Sequence, residues 1–174
     1  MKTVLLHICC GVCGIYSLRK LKNDGFSVKG FFYNPNIHPQ DEYARRKEVA
    51  EEVCRLEKVD FLEKESGSSQ WHDLCSPYAN QKEGDKRCAL CYELRLKETF
   101  KEAKAAKFDY IATTLTISPY KKSKEIFEIG KSIAGDSFLA IDFKKKDGFK
   151  KTIALAKEHK LYRQDYCGCI FSKA

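Results

Sequence analysis

The sequence predicts an α/β protein: a parallel, Rossmann-like sheet with helices on its faces and a metal site at the C-terminal edge of the strands. Three observations carry this. Short apolar runs recur at 3–9, 27–34, 60–62, 108–116 and 137–143, and most of the segments between them repeat apolar residues three and four apart. Parallel neighbours need crossover connections, which such helices supply. The first run also ends in a cluster of cysteines, at the place where ligands sit in open parallel sheets.

Each element has its own signal. TVLLHIC (3–9) reads as the first strand, and Ile15, Leu18 and Leu21 mark a helix over 14–24. SVKGFFYN (27–34) is a second strand, stopped by Pro35 and Pro39, and Ala44, Val49, Val53 and Leu56 define a helix over 42–58. Asp60-Phe61-Leu62 is a short third strand, followed by a polar excursion, SGSSQ (66–70), before Trp71. A charged helix over 87–107 opens on Cys88 and Cys91, and FDYIATTLT (108–116) is a buried strand. Ser118-Pro119 reads as a helix start, a capping hydroxyl before a proline at the first helical position, with the helix running to Gly135. SFLAIDF (137–143) reads as another strand and 148–160 as a last helix, before the closing LYRQDYCGC.

The 174 residues suit a single domain, 1–174, with a cysteine-bearing C-terminal tail. Composition is that of a globular protein: 43% hydrophobic and 32% charged exclude a disordered or collagenous chain. No run is long enough to span a bilayer and no signal peptide is recognisable, so a cytoplasmic protein without a membrane partner is expected. A net charge of +8 favours polyanions without choosing among them.

Nine cysteines, two of them adjacent, disfavour a secreted disulfide framework. Seven fall in three groups: Cys9/Cys10/Cys13, Cys88/Cys91 and Cys167/Cys169. Cys54 and Cys75 stand apart and read as buried core residues. Cys88 and Cys91, three apart at a helix start, present both thiols on one face with the helix dipole favouring thiolate. Adjacent Cys9 and Cys10 are expected to strain around a single tetrahedral ion but to reach different irons of a cubane. Spacing alone fits a [4Fe–4S] or a zinc site equally. Cys167-Gly168-Cys169 suits a redox disulfide, a second metal site or half of a zinc site.

Other candidates are weaker. The NPNIHP loop offers Asn34, Asn36 and His38 for a planar polar group, while Arg45 and Arg46 read as a solvated helix face. Ser118 and Lys121 at the expected helix start are candidates for phosphate. The lysine run at 144–151, beside Phe143 and Phe149, is a candidate guide for an RNA backbone. Walker and dinucleotide glycine fingerprints are absent.

Taken together, HICCGVC (7–13), FYNPNIHPQDEYARRK (32–47), RCALCYELRL (87–96), TTLTISPYK (113–121), DFKKKDGFKK (142–151) and the terminal LYRQDYCGC resemble the cobalamin-independent epoxyqueuosine reductase family, QueH, over nearly the whole chain. One departure is Gly11-Val12, where an Ala-Pro pair is expected. The resemblance implies an adenine-nucleotide alpha-hydrolase-like fold and reductive removal of the epoxide oxygen of epoxyqueuosine in the tRNA anticodon. It implies a [4Fe–4S] cluster on Cys9, Cys10, Cys88 and Cys91, and a redox pair of Cys167 and Cys169. tRNA carrying epoxyqueuosine and an unidentified electron donor are the implied partners. It leaves room for an additional mononuclear iron or other metal beside the cluster, held by some of Cys13, Cys167 and Cys169 with a carboxylate. From a different class, a zinc-stabilised RNA-binding module or a tRNA thiolation-type enzyme is the alternative; the first has no use for the terminal CxC, and the second lacks its glycine/serine phosphate loop after strand one.

Overall fold

The computed structural model describes residues 1–65 and 67–172. In chain order the elements are β1 (Thr3–His7), α1 (Gly11–Asn23), β2 (Ser27–Phe32), α2 (Gln40–Leu56), β3 (Asp60–Glu63), α3 (Ser69–Cys75), α4 (Lys86–Ala105), β4 (Tyr110–Thr113), α5 (Ser123–Ala134) and α6 (Gly148–Glu158). The polar excursion is thus helical from Ser69; Ser66, its first residue, lies outside the described residues.

The four strands form a parallel sheet in the order β3-β2-β1-β4. Strand order reverses at β1, because the chain builds outward through β2 and β3 and then returns to the other side of β1. The switch point therefore opens between the C-terminal ends of β1 and β4, where such sheets bind ligands.

Alternation along β1 divides the core. Val4 and Leu6 face a layer with Ile15, Leu18 and Leu21 of α1, Val49 and Val53 of α2, and Ala156 of α6. Leu5 faces the opposite layer, with Tyr92 and Leu96 of α4 and Ile126 of α5. Every one of these β1 side chains is fully buried, which gives the 1.5–3 kcal/mol of transfer free energy typical of a buried aliphatic residue. Gly11 shows how closely α1 and α2 approach: a Cβ there would lie 2.4 Å from the Val49 carbonyl carbon. The Gly11-Val12 departure thus sits at the first turn of α1 without disturbing it. Cys54 is buried as expected, its Sγ filling the space above Gly30.

Two expected elements differ. SFLAIDF does not form a strand: only Phe138 bridges Ile111, Leu139 N donates to the Ile111 carbonyl, and Ile141 is held by the Thr116 hydroxyl. The helix expected from Ser118-Pro119 begins at Ser123 instead, after a 3₁₀ turn at Thr114–Ile117. Ser118 stays extended, as a residue before proline prefers. The carbonyls of Thr116 and Lys121 are satisfied by Lys144 Nζ, at 2.9 and 3.1 Å, rather than by helical amides. Lys144 is accordingly a brace, half-buried, and is withdrawn from the basic run expected to face RNA.

A cysteine-lined cavity at the switch point

All seven clustered cysteines line one cavity of about 510 Å³ at this switch point. β1 delivers the first group. Ile8 N still pairs with the Phe31 carbonyl at 2.8 Å, and Cys9 N then donates to Thr114 Oγ1 at 3.0 Å. The Thr114 hydroxyl in turn donates to Cys9 Sγ at 3.2 Å. Cys10 is the extended N-cap of α1, and Cys13 lies in its first turn, so their sulfurs come within 2.7 Å. The three sulfurs of Cys9, Cys10 and Cys13 all lie within 4.8 Å of one another. An extended residue followed at once by a helical turn folds Cys9, Cys10 and Cys13 toward one point. The signal was present in the sequence, since Cys10 and Cys13 are themselves a CxxC at a helix start.

The first turn of α4 supplies Cys88 and Cys91. Gly84 N donates to Cys88 Sγ at 3.2 Å, and Arg95 Nη1, one turn on, donates to Cys91 Sγ at 3.5 Å. The tail folds back over the cavity as a strap. Tyr162 donates its hydroxyl to both Glu42 carboxylate oxygens at 3.0 Å, and Arg46 Nη2 donates to the Tyr166 carbonyl at 2.9 Å. The Tyr166 hydroxyl donates to the His38 carbonyl, and His38 N donates to the Gly168 carbonyl at 2.8 Å. Gly168 has φ +99°, and a Cβ there would sit 2.9 Å from Arg46 Nη1, so glycine is required twice over. Phe171 stacks on Trp71 at 5.8 Å, closing a small cluster that also buries Cys75, Cys91 and Cys169.

Among the other candidates, Asn36, Ser118 and Lys121 line the cavity, whereas Asn34 and His38 stand behind its wall. Asn34 Oδ1 accepts from Arg95 Nη2 at 3.0 Å and lies 3.2 Å from His7 Nε2, while its amide donates to the Ile8 carbonyl at 2.9 Å. His38 packs its ring on Trp71 at 5.3 Å. Arg46, expected on a solvated face, is buried and paired with Glu42 at 2.7 Å. Sequence reasoning passed over Arg87, Arg95 and Trp71, which carry no motif of their own; the signal was only their position on the CxxC helix or beside the polar excursion.

The electrostatics are unusual. Arg87 and Arg95 are 1% and 4% exposed, and neither pairs with a carboxylate among the described residues. Arg87 Nη1 instead donates to the carbonyls of Tyr78, Ala79 and Gln81. Four of the five buried polar side-chain atoms without a hydrogen-bond partner among the described residues belong to this wall: Asn36 Oδ1, Trp71 Nε1, Arg87 Nε and Arg95 Nε. Buried cations away from carboxylates are costly, and the cysteine sulfurs of the cavity are where compensating negative charge can form. Hydrogen bonds from Cys10 and Cys13, with Arg95 and Lys121 nearby, hold Cys9 well below the usual thiol range, and donation to Cys10 and Cys9 pushes Cys13 up. In the tail, a hydrogen bond from Cys169 lowers Cys167 to about 5 and raises Cys169 itself. Burial lowers His7 to about 4, so it is neutral beneath the site. Because the Cys167 thiolate persists down to pH near 5, metal-free protein should alkylate at Cys167 almost as fast at pH 6 as at pH 8, with Cys169 slow at both. Peptide mass mapping after brief iodoacetamide treatment checks this; a steep fall at Cys167 between those pH values is the contrary result.

Fold and site together define a Rossmann-like protein with a cysteine-lined cavity, a candidate metal centre, at the sheet's switch point. The model of the family described as epoxyqueuosine reductase QueH matches residues 4–174, and the chain belongs to that family. It is thereby an oxidoreductase. The Streptococcus pyogenes serotype M1 epoxyqueuosine reductase QueH is 34% identical over 179 residues, covering 98% of this chain and 70% of that protein. The Thermotoga maritima protein of the same name is 34% identical over 178 residues, covering 99% and 91%. Among solved structures, a predicted subunit of a tRNA methyltransferase from Methanocaldococcus jannaschii matches with a TM-score of 0.62 at 14% identity, covering 91% of this chain and 75% of that one. The U34-tRNA thiolase NcsA from Methanococcus maripaludis, with its [4Fe-4S] cluster, matches at 0.56 and 12% identity, covering 94% and 58%. These two bear out the expected fold. No helix among the described residues is long and apolar enough to cross a membrane.

Proposed function

We propose that this protein reduces epoxyqueuosine in the anticodon of tRNA to queuosine, with a [4Fe–4S] cluster held by Cys9, Cys10, Cys88 and Cys91. The observation that carries the reading is the union of seven thiols and two buried guanidiniums, neither paired with a carboxylate among the described residues, in one cavity. That donor set fits an anionic metal–thiolate group, because four thiolates need positive charge around them and Arg87 and Arg95 need negative charge. When bound, such a cluster supplies single electrons at low potential.

The chain's own residues do the rest. Arg95, fixed by Asn34, orients the Cys91 sulfur. Thr114 does the same for Cys9. The strap places Cys167 as a thiolate and Cys169 as a thiol in the cavity wall. Reduction breaks both C–O bonds of the epoxide, forms the C=C bond and releases water, consuming two electrons and two protons. Closing Cys167 and Cys169 to a disulfide releases two electrons and the Cys169 proton; the second proton comes from solvent, and an external electron donor reopens the pair. The close approach of Cys13 to Cys9 and Cys10 favours one variant, in which Cys13 takes a ligand position or holds a separate mononuclear metal.

Anaerobically purified protein is expected to be brown, with broad absorption near about 400 nm and matching iron and acid-labile sulfide. It should convert epoxyqueuosine to queuosine in tRNA, read by nucleoside mass spectrometry after digestion. Colourless protein holding stoichiometric zinc would overturn the cluster, and absent conversion by iron-loaded, reduced protein would overturn the reaction. Serine variants at each of Cys9, Cys10, Cys13, Cys88 and Cys91 then assign the ligands by iron count.

A further inference from the structure

The mouth of the cavity carries aromatic surface that the buried chemistry does not use. Tyr120 is 83% exposed and Phe149 37% exposed, and both contribute to the cavity lining from separate elements. A scattered exposed aromatic needs no explanation. This one is mounted stiffly. Tyr120 N donates to Ser118 Oγ at 3.3 Å, Lys121 N to the Ser118 carbonyl at 3.3 Å, and Pro119 fixes the backbone between them. From below, Lys144 Nζ ties the Thr116 and Lys121 carbonyls to Ser123 Oγ. The backbone that carries Tyr120 beside the entrance is thus already ordered, so less free energy is spent on fixing the loop when something binds there.

Charge identifies what would cover it. Lys121 and Arg163 line the same cavity, Lys122 lies two residues beyond Tyr120 and Lys150 follows Phe149 in sequence, and the acidic lining residues are Glu83 and Asp165. An aromatic face among cations is the platform on which single-stranded nucleic acid binds, its bases stacked and its phosphates neutralised. A nucleotide whose base enters a cavity must first leave the stack of its neighbours, so the adjacent base loses a partner at the moment of entry.

We infer that Tyr120 supplies that partner: it is the stacking platform for the nucleotide next to the one inserted in the cavity. The inference rests on the proposed function, which places the reacting base inside. The probe is a synthetic anticodon stem-loop carrying 2-aminopurine beside the wobble nucleotide, bound to iron-loaded wild-type protein. Its emission should change on binding as the base stacks. Tyr120→Ala should weaken the Kd about five- to 150-fold and lose the emission change, while Tyr120→Trp keeps both. Lys122→Ala should lower the salt dependence of binding and keep the emission change. Iron content and a thermal melt establish that each variant is folded. Wild-type protein that fails to bind the stem-loop, or Tyr120→Ala binding within twofold of wild type, overturns the inference. Protein that binds and stacks the loop but leaves epoxyqueuosine in tRNA unreduced would overturn the proposed reaction and leave this surface standing.

Discussion

Serine at Cys88 or Cys91 should remove most of the iron and sulfide from the protein. The hydroxyl keeps the shape of the first turn of α4 but is not ionised at neutral pH, so a four-thiolate centre loses one ligand outright. At Cys91 the effect extends beyond the metal. Among the described residues Arg95 donates to Cys91 Sγ and otherwise only to Asn34 Oδ1, and a serine hydroxyl can still accept that bond whereas alanine cannot. A hydrogen bond to a charged group contributes about 1.5–3 kcal/mol, and metal-free Cys91→Ala should melt lower than metal-free wild type by a corresponding amount. Cys88→Ser has no such guanidinium contact and should melt close to wild type when both are stripped. Cys54→Ala and Cys75→Ala should keep their iron. Wild-type iron in both CxxC variants would remove Cys88 and Cys91 from the ligand set.

Arg46→Met should detach the strap while sparing the metal ligands. Arg46 holds Glu42 at 2.7 Å and the Tyr166 carbonyl at 2.9 Å, and its guanidinium lies 5.0 Å from the centre of the Tyr166 ring. Methionine leaves the nearly buried Glu42 carboxylate with the Tyr162 hydroxyl alone. Breaking one side of a buried ion pair costs about 3–5 kcal/mol. The strap is the cheaper part to give way, since it contributes no strand to the sheet. Expected results are new protease cleavage between residues 161 and 172, loss of epoxide reduction and near-normal iron. A variant with wild-type turnover would show that the strap and its cysteines are dispensable; one that loses iron in proportion to activity would make the strap a ligand-bearing segment instead.

The parallel sheet was legible because periodicity records burial directly: β1 alternates Val4, Leu5 and Leu6 between two layers, and α1 repeats Ile15, Leu18 and Leu21 on one side. The same reasoning failed at SFLAIDF and at Ser118-Pro119. In both places a local signal was overruled by a side chain from far away, the Thr116 hydroxyl on Ile141 and the Lys144 ammonium on the 116–123 loop. The cysteine groups could be counted in the sequence, but their convergence depends on the reversal of strand order at β1, which no spacing encodes. Arg46 illustrates the limit. It follows Arg45 on a charged helix, and only the returning tail makes one arginine a buried anchor while the other lies 4.7 Å from the Tyr162 ring.

The grouping of Cys9, Cys10 and Cys13 has a practical consequence. Cys10 and Cys13 are both pushed up and stay protonated, so the reactive sulfur of the three is the Cys9 thiolate. With all three sulfurs within 4.8 Å of one another, Cys9 is placed to join a neighbour when air reaches protein that holds no metal. The resulting bridge would consume a proposed ligand, so the emptied protein is the form most quickly spoiled by oxygen, and any attempt to refill it must begin with a reductant rather than with iron.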